Sequence, residues 1–465
     1  MSRHIVLCTY ELYPSNRGGC GVVVDALARR LAAAGDRVTV LGDMPERELQ
    51  EWQAWARQQG MDEKSIAVAH LPSLAAQPEG SSLFAAKSRQ FAEGLRALFE
   101  RDPFDLVEFH EYAGVAFEAL RQHRRAGWFA PARLAVRIHG SLELIDREEG
   151  TAQPTSERAA MFLMERYALR AADVVLSPSE GMGRHYARLY DLLAETVRVA
   201  QPPMDLLLPK WTRAQTNGAG HDLLVFGKLQ EIKGCDLVAE AASSLFLEEP
   251  RLPGRILFVG SDVPCQRHGR PTSECVKALI APAVRERFEF RAHLDRAELP
   301  ALVGRVRAGV IASRYESFCL AAHELRSLGL PLVVAGRPAF ADFFHTDDAF
   351  LFDGSVAALR KALREALVDD QKVARLRELP PMGYLDPVPV YEEVLESQRR
   401  ERDWAAIEML EQEIDFLHRA HAIEAARPKL SAADQKLLDA KKTIVGTVRK
   451  SMADLRHRVF NGKRA

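Results

Sequence analysis

Two glutamates in the second half of the chain have the residue type and the spacing to bind a ligand. Glu316 and Glu324 lie eight positions apart, between the apolar runs 310–312 and 332–334. The runs predict two strands, and the segment between them predicts a helix that Ser317 is placed to cap. Glu316 would then precede the helix, and Glu324 would lie about 12 Å further along it at about 1.5 Å per residue.

The predicted start of this helix favours an anion. Its first free N–H groups, those of Phe318, Cys319 and Leu320, would point beyond the carboxyl end of the preceding strand. A ligand with a sugar at one end, phosphates in the middle and a ribose at the other would fit the span between the two glutamates. The alternative is a chance pair, because the chain has 64 acidic residues.

A second loop supplies positive charge. The segment 227–234, Gly-Lys-Leu-Gln-Glu-Ile-Lys-Gly, follows a predicted strand and brings Lys228 and Lys233 to one loop. Two ammonium groups beside a helix N-terminus would neutralise a diphosphate, whose charge grows as its bond to a sugar breaks. The alternative is a pair of solvated surface lysines.

A glycine-rich turn lies near the start of the chain. Gly18-Gly-Cys-Gly21 comes after a predicted strand and before a predicted helix. In that setting, glycines such as Gly18 and Gly19 let the backbone approach a phosphate or a sugar closely. The full G-x-G-x-x-G pattern is missing, so a simple tight turn is the alternative.

Two histidines and two serines follow predicted strands. His139 precedes a glycine and could hydrogen-bond a substrate hydroxyl, although a lone histidine beside a strand is often structural. His110 has the same setting, and a structural role is at least as well supported for it. Ser177 and Ser179 favour a cap or a turn, because serine hydroxyls commonly bond to nearby backbone.

The composition describes an ordinary soluble globular protein with more than one domain. The 465 residues exceed what one core usually holds, and the net charge of −1 gives no case for a nucleic-acid partner. Six cysteines lack C-x-x-C spacing, so neither a zinc site nor a disulfide framework is indicated, and a reduced cytosolic compartment is the default. The sequence predicts neither a signal peptide nor a membrane-spanning helix.

Strands alternate with helices in two separate runs of the chain. This alternation predicts α/β units with parallel sheets covered on both faces, and ligands bind such sheets at the carboxyl ends of the strands. Segment 210–220 loses the periodicity and is a candidate linker. The predicted strands are 5–9, 38–41, 106–109, 134–138 and 174–177 before it, and 223–226, 255–260, 288–290, 310–312 and 332–334 after it.

The predicted helices occupy the segments between these strands. Residues 22–34 have Val24, Leu27, Ala28 and Leu31 on one face. The other predicted helices are 154–169, 235–245 and 299–307.

The C-terminal region predicts helices with one apolar face. Apolar residues recur at three- and four-residue steps over 404–417, which indicates an amphipathic helix whose apolar face should pack on another surface. The last 26 residues carry eight basic side chains and one acidic one. Segment 441–464 therefore predicts an interfacial helix on an anionic membrane, with a solvated or partner-bound tail as the alternative.

Taken together, the glycine turn, His139-Gly140, the 172–179 segment, the lysine loop and the glutamate pair resemble the retaining GT-B-fold glycosyltransferases of family four, the group 1 type. The resemblance covers about residues 1 to 395. It implies an α/β fold with two Rossmann-like parallel-sheet domains facing a cleft, plus a helical C-terminal extension. The expected division is 1–208 for the acceptor-side domain, 209–385 for the nucleotide-sugar domain, 386–426 for the crossover and amphipathic helices and 427–465 for the basic tail.

The resemblance also implies roles for the site residues. Lys228 and Lys233 would hold the diphosphate of a UDP- or GDP-sugar, Glu324 the ribose hydroxyls and Glu316 the hydroxyls of the donor sugar. His139 would contact the transferred sugar near its reacting carbon. Completing the donor site would be glycines and helix-start residues: Gly18, Gly19, Gly227, Phe318, Cys319 and Leu320.

The implied partners are the donor and a glycan or lipid-linked acceptor. We expect no cofactor and no metal ion, because the lysines would neutralise the diphosphate. The expected location is the cytoplasm, peripheral at the inner face of the membrane.

Three positions depart from the family pattern. Lys228 stands where the family usually has arginine, so the charge is kept but the bidentate fork is lost. Cys319 replaces the glycine usual after Glu-x-Phe, which predicts an effect on the choice of sugar. Residues 201–205, Gln-Pro-Pro-Met-Asp, stand where the family often has Pro-Asn-Gly-x-Asp.

The resemblance implies transfer with retention of the anomeric configuration. In hydrolases, retention usually needs a carboxylate nucleophile about 5 Å from an acid. Both Glu316 and Glu324 are already assigned to hydroxyl groups, so we favour a front-side displacement in which the departing phosphate accepts the acceptor's proton. The alternatives are a GT-B-like sugar-nucleotide epimerase or a phosphorylase, and a non-catalytic scaffold that keeps the fold.

Overall fold

Two parallel β-sheets organise the chain, one in each half of the sequence. The computed structural model describes residues 2–15, 18–61, 65–71, 82–150, 155–208, 220–265, 269–292, 294, 296–398 and 402–425. The predicted linker 210–220, apart from its last residue, and the basic tail 427–465 lie outside these ranges.

The first sheet has seven parallel strands in the order β3-β2-β1-β4-β5-β6-β7. The central strands are mostly apolar and fully buried because helices cover both faces of the sheet. The strands are β1 His4–Thr9, β2 Arg37–Gly42, β3 Ile66–His70, β4 Leu106–His110, β5 Arg133–Arg137, β6 Val174–Ser177 and β7 Val197–Val199.

Seven α-helices of the described chain lie between these strands in the sequence, and an eighth follows the last strand. Helix α1 buries the predicted face of Val24, Leu27, Ala28 and Leu31 against the sheet. Four other helices begin at a serine or threonine whose hydroxyl accepts a backbone N–H of the first turn. The helices are α1 Gly19–Ala33, α2 Glu46–Gln58, α3 Leu83–Arg101, α4 Phe117–Ala126, α5 Leu142–Glu149, α6 Ser156–Ala171, α7 Glu180–Tyr190 and α8 Met204–Leu207.

The second sheet has six parallel strands in the order β10-β9-β8-β11-β12-β13. Its strands are β8 Leu223–Phe226, β9 Ile256–Val259, β10 Phe288–Arg291, β11 Ala308–Ile311, β12 Leu332–Ala335 and β13 Phe350–Phe352. Its helices are α9 Cys235–Glu248, α10 Thr272–Ala278, α11 Leu299–Val303, α12 Leu320–Ser327, α13 Val356–Val368 and α14 Asp370–Glu378.

Each sheet reverses its strand order at one point. The reversal lies between β1 and β4 in the first sheet and between β8 and β11 in the second. Helices leave in opposite directions on the two sides of such a point, so a crevice opens at the carboxyl ends of the strands. The loop 227–234 follows β8 and the loop 312–319 follows β11, so both candidate loops lie at the crevice of the second sheet.

The last two helices return to the first domain. They are α15 Val388–Glu396 and α16 Trp404–Ala425. On α15, the hydroxyl of Tyr391 donates to Glu108 at 2.5 Å and accepts from Arg137 at 2.9 Å, and the Glu108–Arg137 ion pair itself is buried at 2.6 Å. Because an unpaired buried charge is costly, these three groups fix α15 beneath β4 and β5.

Helix α16 is the amphipathic helix that the sequence predicts. It buries Ile407 and Ile414 against the first domain, and the guanidinium of Arg124 lies 4.9 Å from the centre of the Trp404 ring. No helix in the described part of the chain is long and apolar enough to span a membrane.

The predicted strands are all present, but the prediction missed three. Strands β3, β7 and β13 lie at or beside sheet edges, have three to five residues, and show weak periodicity because edge positions are partly exposed. The predicted helix 299–307 is too long, since α11 ends at Val303.

Candidate active site

A lysine–glutamate pair lies at the crevice of the second sheet. The Nζ of Lys233 donates to Oε1 of Glu316 at 2.7 Å, and the hydroxyl of Ser313 donates to the same oxygen at 2.7 Å. Burial lowers the pKa of Lys233, but the charge and hydrogen bond of Glu316 outweigh it and leave the pKa raised. The lysine therefore stays charged at neutral pH, and the two predicted site residues are in direct contact.

The backbone around this pair permits the close approach of two loops. Gly234 has a φ of +69°, and a Cβ there would lie 2.1 Å from the carbonyl oxygen of Ala312. Arg314 adds a second tie: it donates to the carbonyl of Glu231 at 2.7 Å and pairs with both oxygens of Asp236. Sequence reasoning missed Arg314, whose only signal is its place in the loop 312–319, two residues before Glu316.

The start of the same loop is shaped by another glycine. Gly227 has a φ of +130°, a backbone conformation that residues with a side chain rarely adopt. Gly260 packs against it, since a Cβ on Gly260 would lie 1.8 Å from the carbonyl oxygen of Gly227. This turn places Lys228 on the exposed side of the loop. Lys228 and Lys233 thus share one loop, as predicted, but only Lys233 is held by a carboxylate.

Helix α12 begins later than predicted. Cys319, not Ser317, is its N-cap, and no side chain caps the helix there. The Ser317 hydroxyl instead donates to the carbonyl oxygen of His139 at 2.7 Å, so the predicted cap is wrong. Because the helix starts at Leu320, the free N–H groups of its first turn begin with Leu320, and those of Phe318 and Cys319 precede the helix.

The late start of α12 also bears on two candidate residues, Phe318 before the helix and Glu324 within it. Phe318 is buried and its ring stacks on His323 with 4.1 Å between the ring centres, so this side chain packs in the core. Glu324 lies four residues into α12 and is half-buried. Of the eight residue steps from Glu316 to Glu324, only the four after Leu320 are helical, so the predicted helical rise does not apply to the whole span.

Cys319 adopts a left-handed backbone conformation with a φ of +68°. This conformation costs about 1–2 kcal/mol for a residue with a Cβ and little for glycine. It gives a physical reason for the glycine that the family usually has at this position. Burial raises the pKa of the Cys319 thiol and the charge of Glu316 raises it further, so the thiol is protonated at neutral pH.

The glycine turn of the first domain carries an acidic group that the sequence analysis missed. Gly18 is the N-cap of α1, and the carboxylate of Glu11 accepts the N–H of Gly21 at 3.3 Å. A Cβ on Gly18 would lie 2.3 Å from this carboxylate, whereas a Cβ on Gly19 would meet no atom within 4 Å. Glu11 therefore faces the positive end of α1, and Gly19 leaves open space beside it.

His139 is held through its backbone. The carboxylate of Glu111 accepts the N–H of His139 at 2.8 Å and the N–H of Gly140 at 2.6 Å. Burial, together with the nearby His110 and Arg137, lowers the pKa of the His139 ring well below its ordinary value. The ring is therefore neutral at neutral pH and can hydrogen-bond a hydroxyl, but it does not supply a positive charge.

Two buried glutamates lie behind His139, and the sequence analysis missed both. Glu165 accepts the N–H groups of Ala113, Leu142 and Glu143, so it caps the start of α5. Burial raises the pKa of Glu111 to about 7 and that of Glu165 to about 8, although their hydrogen bonds to backbone lower both. No periodic pattern marks these residues, because their role depends on loops that meet only in the folded chain.

The remaining polar candidates have structural roles. His110 is buried, its ring centre lies 5.1 Å from that of Tyr10, and burial lowers its pKa to about 4. Ser179 caps α7, and the Ser177 hydroxyl donates to the Ser179 carbonyl at 2.7 Å. These contacts agree with the structural alternatives for all three.

The fold and the paired crevices define a class of protein. The family model described as Glycosyltransferase Family 4 matches residues 17–206, and that described as Glycosyl transferases group 1 matches residues 220–369. Together the two matches cover most of the chain, one in each sheet-containing half. The chain belongs to the family 4, group 1 glycosyltransferases and has the GT-B fold.

Individual relatives are distant. A D-inositol 3-phosphate glycosyltransferase of Thermomonospora curvata is 24% identical over 379 residues, which cover 76% of this chain and 83% of that protein. The sucrose-phosphate synthase of Thermosynechococcus elongatus has a TM-score of 0.58 at 18% identity, covering 90% of this chain and 99% of that one. Anabaena HepE, solved with UDP and glucose, has a TM-score of 0.54 at 15% identity, covering 90% and 100%. The two structures establish the shared fold.

Replacing Cys319 tests the backbone strain. Cys319→Gly and Cys319→Ala both remove the sulfur, but only glycine relieves the left-handed conformation. We expect the glycine variant to be more stable than the alanine variant by about 1 kcal/mol. Thermal unfolding of the two proteins measures this, and an alanine variant as stable as the glycine variant would show that the position is unstrained.

The buried glutamates predict a pH dependence of stability. Because the pKa values of Glu111 and Glu165 are raised above the ordinary 4.5, the folded chain keeps protons that the unfolded chain releases. Their contribution to stability is complete below about pH 4.5 and is lost as the pH rises through about 7 and 8. The unfolding temperature should therefore fall from pH 5 to pH 8.5.

Glu165→Gln should make this decline shallower, because the variant lacks one of the two titrating groups. Glu413→Gln, on the exposed side of α16, is the matched control and should leave the slope unchanged. An identical slope in the native protein and in Glu165→Gln would contradict the assignment.

Proposed function

We propose that this glycosyltransferase moves a sugar from a nucleotide-diphosphate donor to a glycan or lipid-linked acceptor with retention of the anomeric configuration. The observation that carries the proposal is the contact of Lys233 with Glu316 at the crevice of the second sheet. It joins a cation suited to phosphates to a carboxylate suited to hydroxyl groups, which is the pairing that a sugar diphosphate requires.

Lys233 can serve both parts of such a donor. An ammonium group has three protons, so Lys233 can keep its bond to Glu316 and still donate to phosphate oxygens. Lys233 and Ser313 both donate to Oε1 of Glu316. We assign the carboxylate of Glu316 to the donor sugar and that of Glu324 to the ribose.

The diphosphate would lie between Lys228, Lys233 and the start of α12. The N–H groups that open this helix at Leu320 favour a negative charge, and the two lysines add full positive charges. The negative charge of Glu11 at the glycine turn offsets the positive end of α1, so we assign neutralisation of the diphosphate to the second domain. Gly19 then provides room for the phosphates to approach the first domain.

The transfer step forms one bond and breaks one on the same face of the sugar. The acceptor oxygen bonds to the anomeric carbon, the bond from that carbon to the β-phosphate oxygen breaks, and the departing phosphate takes the acceptor's proton. Lys228 and Lys233 stabilise the charge that grows on the phosphate, and the neutral His139 orients a sugar hydroxyl. Cys319, beside Glu316, is the residue that we expect to influence which sugar fits.

A UDP- or GDP-sugar is the proposed donor class. The structure of HepE with UDP and glucose supports testing a UDP-sugar first. The D-inositol 3-phosphate glycosyltransferases among the relatives suggest a polyol acceptor as a second test beside glycans and lipid-linked sugars. We also propose that the tail 441–464 brings the enzyme from the cytoplasm to an anionic membrane surface where such acceptors reside.

Lysine variants test the donor site. Lys228→Ala and Lys233→Gln should each lower kcat by about 10²- to 10³-fold, because each removes a positive charge from the leaving phosphate. Glutamine is chosen for Lys233 because it can still donate to Glu316. Lys361→Ala, on the exposed face of α13, is the control and should retain full activity.

The assay follows the transfer of labelled sugar from UDP- and GDP-sugars to a cell extract, with and without EDTA. Activity that survives EDTA and falls only in the two site variants is the expected result. Full activity of both variants would contradict the proposed phosphate site, and strict dependence on a divalent ion would contradict its metal-free chemistry.

A further inference from the structure

A chain of hydrogen bonds crosses the cleft between the two domains. It starts at Tyr315, the residue before Glu316, whose hydroxyl lies 2.8 Å from the hydroxyl of Tyr186 on α7. Tyr186 in turn donates to Oε1 of Glu111 at 3.1 Å. Glu111 is the residue that accepts the backbone N–H groups of His139 and Gly140. These hydrogen bonds therefore connect the glutamate loop of the second domain to the His139 loop of the first.

When Glu111 is ionised, the hydrogen bonds from Tyr315 through Tyr186 to Glu111 all have the same donor-to-acceptor direction. A carboxylate only accepts hydrogen bonds, so the single hydroxyl proton of Tyr186 is donated to Glu111. The two lone pairs of the Tyr186 oxygen then accept the N–H of Ser141, at 3.2 Å, and the hydroxyl of Tyr315. Every hydrogen-bonding position of the buried Tyr186 hydroxyl is thus used, and Tyr315 is the donor that completes it.

Two further contacts join the same loops. The hydroxyl of Ser317 donates to the carbonyl oxygen of His139 at 2.7 Å. Gly140 has a φ of +132°, and a Cβ there would lie 3.3 Å from the ring of Tyr315. The backbone of His139 is therefore bonded on one side to its own domain through Glu111 and on the other to the second domain.

We propose that Tyr315 is a positioning residue that couples the glutamate loop of the second domain to the His139 loop of the first through Tyr186 and Glu111. The approach of the two domains completes the hydrogen bonds of Tyr186, and this fixes the backbone at His139 and Gly140. The role of His139 in the transfer rests on the proposed function, whereas the coupling itself does not.

Hydrogen exchange measures this coupling without any ligand. In the full-length protein, Tyr315→Phe removes one hydroxyl in the second domain, and we expect amide exchange in a peptide covering 138–141 to rise by about five-fold. Tyr384→Phe is the matched control, because its hydroxyl bonds to His323 at 3.0 Å within the second domain. Exchange at 138–141 should be unchanged in the control.

A double variant distinguishes a chain from separate contacts. Tyr186→Phe alone should raise exchange at 138–141 at least as much as Tyr315→Phe, and adding Tyr315→Phe to it should have no further effect. Unchanged exchange in Tyr315→Phe, equal effects in Tyr315→Phe and Tyr384→Phe, or additive effects in the double variant would each overturn the proposal.

Kinetics with UDP-glucose and GDP-mannose as probes give the functional readout. With either probe that the enzyme turns over, Tyr315→Phe should lower kcat by about five-fold and leave the donor KM unchanged, because Lys233 and Glu316 remain in place. A raised KM with an unchanged kcat would assign Tyr315 to donor binding instead and overturn the positioning role. If neither probe is turned over, neither UDP-glucose nor GDP-mannose is the donor, and the exchange experiment still decides the coupling.

Discussion

The ion pair between Lys233 and Glu316 is the interaction on which the arrangement of the cleft depends. A buried carboxylate needs a partner, and Lys233 reaches it only because the loop after β8 lies against the end of β11. Gly234 makes that approach possible, since any Cβ would collide with the carbonyl of Ala312. Arg314 then ties the loops a second time through Asp236. The result is an edge of the second domain in which two loops are held together by two ion pairs, with Lys228 exposed beside them.

The first domain contributes a different kind of surface to the cleft. Its carboxylates, Glu11, Glu111 and Glu165, bind backbone N–H groups, and so they order the glycine turn, the His139 loop and the start of α5. This domain therefore supplies shape and hydrogen bonds, and the second supplies charge. Under the proposed function, the lysines of the second domain would neutralise the diphosphate, Glu316 of that domain would bind the donor sugar, and His139 of the first domain would orient a sugar hydroxyl.

The sequence was sufficient for the central strands and the main loops. Buried runs such as 174–177 and 223–226 match strands residue for residue, because a strand buried on both faces is mostly apolar. The lysine loop and Glu316 could be found because their residue types carry chemistry. Glycines at strand ends, such as Gly227, marked the turns that place them.

What the sequence could not show depends on contacts between distant segments. The N-cap of α12 is Cys319 and not the predicted Ser317, because the Ser317 hydroxyl donates instead to the carbonyl oxygen of His139 in the other domain. Glu111 and Glu165 were missed because their partners are backbone groups of loops that meet only after folding. The strained Cys319 could be suspected only from the family resemblance, which expects glycine there, and its positive φ supplies the reason.

The central claim is that the crevice beside Lys233 and Glu316 binds a nucleotide-sugar donor. The most direct test is a thermal-unfolding panel of the full-length protein with UDP, GDP, ADP and TDP and their sugar conjugates. A ligand at 100 times its Kd stabilises the folded state by about 2.7 kcal/mol. The account predicts that UDP or GDP compounds raise the unfolding temperature of the native protein and raise it less in Lys233→Gln. If no nucleotide raises it, or if the variant responds equally, the donor site has been placed wrongly.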